Sequence, residues 1–207
     1  MHSSLIKLSA IDSAIIDFTS GLYDPSCFAG VTKEEMRDAL SSGQLISKQW
    51  LLNQLCEIDH DIKRAVVVGG WVGLLATAIE YANPSLVVDS VDLDENATMV
   101  ATRTMGKCKG DAVLGNMYEM DYGPYQCVIN TSAEHIPDVT EWISLLKPNT
   151  LVVVQSNNAR HVPDHINCVD SHHELVEMLN LSTVYFAGEL VFPMYTRYMV
   201  IGLTGAF

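Results

Sequence analysis

The run Val66-Val67-Val68-Gly69-Gly70-Trp71-Val72-Gly73 passes from three β-branched residues into a glycine-rich turn and then into a helical pattern. A strand that turns through glycines into a helix lets a ligand approach the backbone closely. It also aims the unpaired N–H groups of the helix start at an anionic group. The same glycines could serve a tight turn with no ligand at all. Asp92, in Ser90-Val91-Asp92-Leu93-Asp94, follows about 20 residues later. A carboxylate at the end of the next strand can accept hydrogen bonds from both hydroxyls of a ribose. Asp92 could equally cap the helix after it, and Asp94 and Glu95 read as first-turn acids favoured by the helix dipole.

Polar groups further along suggest a second chemical region. Asn130-Thr131-Ser132-Ala133-Glu134-His135 follows an apolar run, and Gln155-Ser156-Asn157-Asn158 ends another. Loops at the carboxyl ends of parallel strands are where α/β sheets bind ligands. Histidine is the side chain suited to proton transfer near neutral pH, so His135 could deprotonate a hydroxyl or amine, and Glu134 could anchor an ammonium or act as a base. The alternatives are a helix-start histidine and a solvated first-turn acid. Ser132, Asn157 and Asn158 are candidates to line a substrate pocket. His161, His165, His172 and His173 match no familiar ligand spacing, with His172 and His173 expected to point in different directions on a helix, so no metal is expected. Tyr23, Tyr195 and Tyr198 could line a pocket wall or pack in the core.

These residues need a scaffold, and the apolar pattern supplies one. The first 60 residues or so read as helical. Thr32 and Glu35 have capping-box spacing, and Leu45, Ile46, Trp50, Leu52, Leu55 and Cys56 recur at helical intervals. From Ala65 strand-like runs alternate with helices: Val66–Val68, Leu86–Val91, Ala112–Leu114, Tyr125–Asn130 and Leu151–Gln155, with helices over Gly73–Ala82 and Glu95–Met105 and another after Asp138. Alternation of this kind implies parallel pairing in a buried sheet. The end of the chain departs from it. Val184–Leu190 and Arg197–Leu203 are separated by too few residues for a parallel crossover, so they should form an antiparallel hairpin. The expected architecture is a three-layer α/β/α sandwich on a mostly parallel seven-stranded sheet. A helical extension (1–60) packs on a ligand-binding domain (61–207), the whole forming one structural unit.

Composition narrows the partners. With 48% hydrophobic and 18% charged residues, a chain of 207 residues can build one packed core. A net charge of -13 opposes binding to a phosphate backbone, which argues against a nucleic-acid partner. No apolar run approaches the ~20 residues of a membrane span, and residues 1–10 do not read as a signal peptide. Cys27, Cys56, Cys108, Cys127 and Cys168 are odd in number and scattered, as suits a reducing cytoplasm.

The glycine turn and Asp92 alone would also fit a nicotinamide or flavin enzyme. The dinucleotide fingerprint is only partly met, because Val68 occupies its first glycine position. From about Lys63 to Gln155, and again in the terminal hairpin, the sequence resembles the class I S-adenosylmethionine-dependent methyltransferases. Gly69-Gly70-Trp71-Val72-Gly73 is similar to that family's first motif and Asp92 to its ribose-binding acid. Leu93 lies where an adenine-packing side chain usually does. Gly115-Asn116-Met117 stands in place of a Gly-Asp-Ala whose acid meets the adenine amine, and Leu146-Lys147-Pro148-Asn149 resembles a Leu-Lys-Pro-Gly turn. Val67 replaces an acid of the first motif and Trp71 a glycine.

The resemblance implies S-adenosyl-L-methionine held by Gly69, Gly70, Trp71, Gly73, Asp92, Leu93, Asn116, Met117 and Asn130. The Asn130 carbonyl would take the methionine ammonium. It implies methyl transfer to a small-molecule nitrogen or oxygen, with His135 and Glu134 as the candidate catalytic pair. No Pro-Pro-aromatic follows Asn130, so the signature of the amino-methylating DNA enzymes is missing. A non-catalytic binding module of the same fold, or transfer of an aminopropyl or aminocarboxypropyl group, remains open.

Overall fold

A computed structural model of the chain describes residues 2–20 and 30–206, with the side chains of residues 10–19 and 30–206. Tyr23 and Cys27 lie outside the described residues. The order of elements is α1 (His2–Ser20), α2 (Lys33–Ala39), α3 (Ser42–Leu55), β1 (Arg64–Val68), α4 (Leu74–Ala82), β2 (Val87–Asp92), α5 (Glu95–Thr104), β3 (Ala112–Leu114), β4 (Cys127–Asn130), α6 (Val139–Ser144), β5 (Leu151–Asn157), α7 (His172–Leu179), β6 (Thr183–Val191) and β7 (Thr196–Leu203), with a 3-10 turn at Ala133–His135. The seven strands run in the order β3-β2-β1-β4-β5-β7-β6. Residues Met1–Met117 and Tyr118–Phe207 form two compact units.

In the first unit β2 pairs in parallel with both β1 and β3. Ala65 to Val68 are all buried, as a strand covered on both faces requires. Helix α4 is buried from Leu74 to Glu80 because it packs against β1 and β2 on one side and α1 on the other. A carboxylate inside such a layer must be satisfied by donors. Glu80 accepts from the backbone N–H of Val88 at 3.2 Å, of Gly110 at 3.2 Å and of Lys109, joining α4 to β2 and to the turn before β3. Asp89, also buried, is gripped by Arg64 at 2.7 Å and accepts from the Asp111 N–H at 3.0 Å.

Capping follows the sequence reading at α2, where Thr32 and Glu35 form the reciprocal box. The expected apolar stripe of α3 does not coincide with its buried face. Ser47, Lys48, Leu51 and Leu52 are buried, whereas Ile46 is 48% exposed and Cys56 is exposed. Lys48 lies inward because its ammonium donates to Gln44 at 2.6 Å, so only its methylene stem needs apolar company.

In the second unit β4 and β5 are parallel, while β7 runs antiparallel to both β5 and β6. The terminal hairpin expected from the short Phe192-Pro193-Met194 link is therefore present. Strand β4 starts at Cys127 rather than Tyr125, and β5 continues to Asn157 beyond the expected Gln155. Asp138 caps α6 through the Glu141 N–H at 2.8 Å, as its spacing predicted. Trp142, fully buried on that helix, donates its indole N–H to the Tyr122 hydroxyl at 2.9 Å.

Burial pushes the Tyr122 phenol up to about 12. The native state therefore keeps its proton at pH values where the unfolded chain has lost it, and stability falls as pH rises from about 10. Tyr122→Phe leaves the Trp142 donor buried and unpaired, with an expected loss of about 1–3 kcal/mol in urea unfolding at pH 7. An unchanged midpoint would show that the indole N–H finds another partner.

Candidate functional site

The glycine turn of the first unit has three distinct backbone requirements. Gly69 (φ 63°) and Gly73 (φ 73°) occupy the left-handed region. A Cβ on Gly69 would meet nothing within 4 Å, so this residue faces open space. One on Gly73 would lie 3.0 Å from the Ala101 Cβ, and one on Gly70 only 2.1 Å from the Ser90 Oγ. Gly70 is thus required by the close approach of β1 to β2, and Gly73 by both its dihedral and the packing of α4 on α5. Trp71 is also left-handed (φ 49°), which a bulky residue adopts only when its surroundings hold it.

What holds it is Asp92. The Asp92 carboxylate accepts from the Trp71 N–H at 2.7 Å through one oxygen and from the Asp94 N–H at 3.0 Å through the other. The alternative role of helix cap falls to its neighbour. Asp94, expected as a first-turn acid, is itself the N-cap of α5 and accepts from the Asn96 and Ala97 N–H groups at 2.7 and 3.1 Å. Asp92 is half-buried, and each of its oxygens keeps a further lone pair beyond the one used. Leu93 is 70% exposed beside it. Asn116 and Met117 are half-buried, and the Gly115 N–H donates to the Asp92 carbonyl at 2.9 Å, so these residues begin where β2 and β3 end. Val67, at the position of the family's first-motif acid, is buried in β1.

These strand tips are the polar end of the unit. An apolar cleft of about 240 Å³, lined in part by Leu52, Ile58, Ile62, Ile79 and Leu86, lies instead at the amino ends of β1 and β2.

The second unit gathers a separate polar group. Asn130, 1% exposed, accepts from the Ser132 N–H at 2.8 Å and so bends the chain out of β4 into the 3-10 turn. Glu134 on that turn is 2% exposed, not the solvated acid considered above. One of its oxygens, Oε1, accepts from Asn157 and lies 3.7 Å from Arg197. The other, Oε2, has no hydrogen-bond partner among the described residues. Asn157 is committed to this network, since its own Oδ1 accepts from the Ala159 N–H at 2.8 Å. Asn158 ties β5 to β7 by accepting from the Thr196 N–H at 2.7 Å.

His135 is exposed, with Nδ1 3.0 Å from the Asp164 carbonyl and its ring edge-on to His165 at 4.7 Å between centroids. Burial holds His165 below the ordinary imidazole range, against the opposing pull of the Glu134 carboxylate. Glu134, His135 and His165 each present one ligand atom within 4.8 Å of the other two. His165 was not singled out beside Glu134 in the sequence, because the contact spans some thirty residues with no local pattern. His172 and His173 do not diverge as expected. Their rings lie 4.1 Å apart in the first turn of α7. Tyr198 is core-facing, its hydroxyl donating to the Asp170 carbonyl at 2.8 Å, and Tyr195 stacks on Phe192.

At the level of sequence no family model and no curated protein matches the chain. Solved structures do. The N-methyltransferase NodS from Bradyrhizobium japonicum superposes with a TM-score of 0.61 at 10% identity, over 77% of this chain and 95% of that one. A geranyl diphosphate methyltransferase, in complex with its diphosphate and sinefungin, gives 0.60 at 12% identity over 77% of each chain. Human N-acetylserotonin methyltransferase, in complex with S-adenosylmethionine, gives 0.59 at 12% identity over 97% of this chain and 67% of that one. The fold is that of the class I methyltransferases.

The two left-handed glycines separate backbone strain from packing. Gly69→Ala should cost about 1 kcal/mol, for the dihedral alone. Gly73→Ala adds overpacking against Ala101 and should cost about 2–4 kcal/mol. Equal losses in urea unfolding would contradict the tight packing of α4 on α5.

Proposed function

We propose that the chain is an S-adenosylmethionine-dependent methyltransferase acting on a nitrogen or oxygen of a small molecule. The observation that carries this reading is the Asp92 carboxylate joined to the glycine turn at neighbouring strand tips, on a fold shared with methyltransferases. The residues present fit the adenosyl group. Gly69 borders open space, Asp92 retains lone pairs for two ribose hydroxyls, and Leu93 offers an exposed apolar face to an adenine ring. Asn116 and Met117 would complete the adenine site, its amide oxygen accepting from the adenine amine, and the backbone from Gly69 to Gly73 would hold the methionine end. The role of Asn130 toward the ammonium comes from the family resemblance and belongs to the same proposal.

S-adenosylmethionine, when bound, supplies a methyl carbon already activated by its positive sulfur. The protein's part is positioning and exclusion of water. On the acceptor side, the Asp164 carbonyl can only accept, so His135 Nδ1 carries the ring proton and the exposed Nε2 keeps its lone pair. That lone pair can receive a proton from the acceptor. Glu134 is fixed by Asn157 and Arg197, which suits a stationary negative charge toward a cationic amine better than a proton carrier. Asn157 and Asn158 are proposed to shape this region through their internal bonds, with Ser132 nearest the turn. The net charge of -13 supports a small-molecule acceptor over a nucleic acid. None of the described helices is long and apolar enough to cross a membrane, and Cys108, Cys127 and Cys168 are free thiols, in keeping with a cytoplasmic location.

Calorimetry with S-adenosylmethionine and S-adenosylhomocysteine tests the reading. Wild type should bind both. Asp92→Ala should weaken binding by about 2 kcal/mol or more, roughly thirtyfold, through lost charge-assisted hydrogen bonds. Asp92→Asn, which keeps one acceptor oxygen for the Trp71 N–H, should fall between. Absence of binding by wild type would favour a non-catalytic copy of the fold, and equal affinity in Asp92→Ala would remove the ribose assignment.

A further inference from the structure

We infer that Glu134, His135 and His165 form a binding site for a first-row divalent transition-metal ion of the zinc type. The site lies within the second unit and does not depend on the methyl-transfer reading. The spacing of the histidines in the sequence suggested no metal, because the three ligands come together only through the fold.

Four observations support the site. The ligand atoms already lie within 4.8 Å of one another. A tetrahedral ion with bonds of roughly 2.0–2.2 Å needs ligand atoms about 3.4 Å apart, so closure requires at most a shift of about 1.4 Å. The exposed ring of His135 can supply that by side-chain rotation.

Glu134 is 2% exposed, yet among the described residues its Oε2 has no hydrogen-bond partner, and neither has the buried Nδ1 of His165. A buried carboxylate oxygen without a donor is costly, and a cation would satisfy it.

The supporting groups are those that metal sites use. A ligating histidine almost always donates its second ring N–H to a carbonyl or carboxylate, and His135 Nδ1 faces the Asp164 carbonyl at 3.0 Å. Asn157 and Arg197 hold Glu134 by Oε1 and leave Oε2 for the ion.

Finally, the histidine loop is anchored to the turn that carries the acid. The N–H groups of Ile166 and Asn167 both donate to the Glu134 carbonyl at 2.9 Å, fixing His165 beside it. Two imidazoles and one carboxylate select zinc-type ions over magnesium or calcium, which take all-oxygen shells. Three protein ligands leave at least one position for water or another small ligand. Ligation would use the same Nε2 lone pair proposed above as a proton acceptor, so a bound ion would replace His135 in that role and act as a Lewis acid.

The test uses the full chain, freed of metal with a chelator and titrated calorimetrically with Zn²⁺ in the absence of S-adenosylmethionine. Co²⁺ serves as a spectroscopic probe of low-symmetry coordination. One equivalent of each ion should bind. His135→Ala and His165→Ala should each weaken binding by at least about 100-fold, more than loss of a supporting group would. Replacing the His172 and His173 pair with alanine should leave the stoichiometry unchanged. His135 is exposed, so its variant is expected to fold, and circular dichroism checks this. No stoichiometric binding by wild type, unchanged affinity in His135→Ala, or loss only in the His172 and His173 variant would each overturn the site. None of these results alters S-adenosylmethionine binding at Asp92, which the calorimetry above measures separately.

Discussion

The first unit depends on one hydrogen bond, from the Trp71 N–H to the Asp92 carboxylate. Trp71 stands in a left-handed conformation that a side chain of its size adopts only under constraint. Asp92 provides that constraint from the tip of the adjacent strand, and its other oxygen steadies the turn into α5. The close approach of Gly70 to Ser90 and the packing of Gly73 on Ala101 bring the strand tips near enough for the bond to form. A carboxylate that organises the turn is thereby left at the edge of the sheet with acceptor capacity to spare, where a ligand rich in hydroxyl groups could use it.

The second unit is built around a buried charge. Removing Glu134 from water is costly unless it is paired, and here Asn157 and Arg197 compensate one of its two carboxylate oxygens. The antiparallel hairpin matters chemically for this reason. Strand β7 carries Arg197 opposite Asn157 on β5, so the register of that pair sets which groups surround the acid. The loop that carries His165 is bonded back onto the same turn, which places two imidazoles beside a carboxylate oxygen that has no donor among the described residues.

Much of this was readable from the sequence wherever the determinant is local. Three consecutive valines before the glycines predict β1, the Thr32–Glu35 and Asp138–Glu141 spacings predict caps, and the short link at Pro193 predicts an antiparallel pair. Spacing from the glycines singles out Asp92, the family resemblance adds Leu93, Asn116 and Met117, and all four fall at or just past strand ends. What was not readable depends on contacts distant in the chain. The burial of Lys48, the bond that commits Asp92 to Trp71, the burial of Glu134 and the meeting of His135 with His165 each arise from tertiary placement. Residue type alone favours the opposite outcome for Lys48 and Glu134, because such groups are seldom buried unless paired.

An adenosyl group held between the glycine turn and Asp92, as proposed, would shield the backbone on both sides of it. Hydrogen–deuterium exchange with and without S-adenosylhomocysteine tests it by location. Slowed exchange is expected in peptides covering residues 69–74, 91–96 and 114–117. Protection absent from all three, or confined to the region of Glu134 and His165, would contradict it.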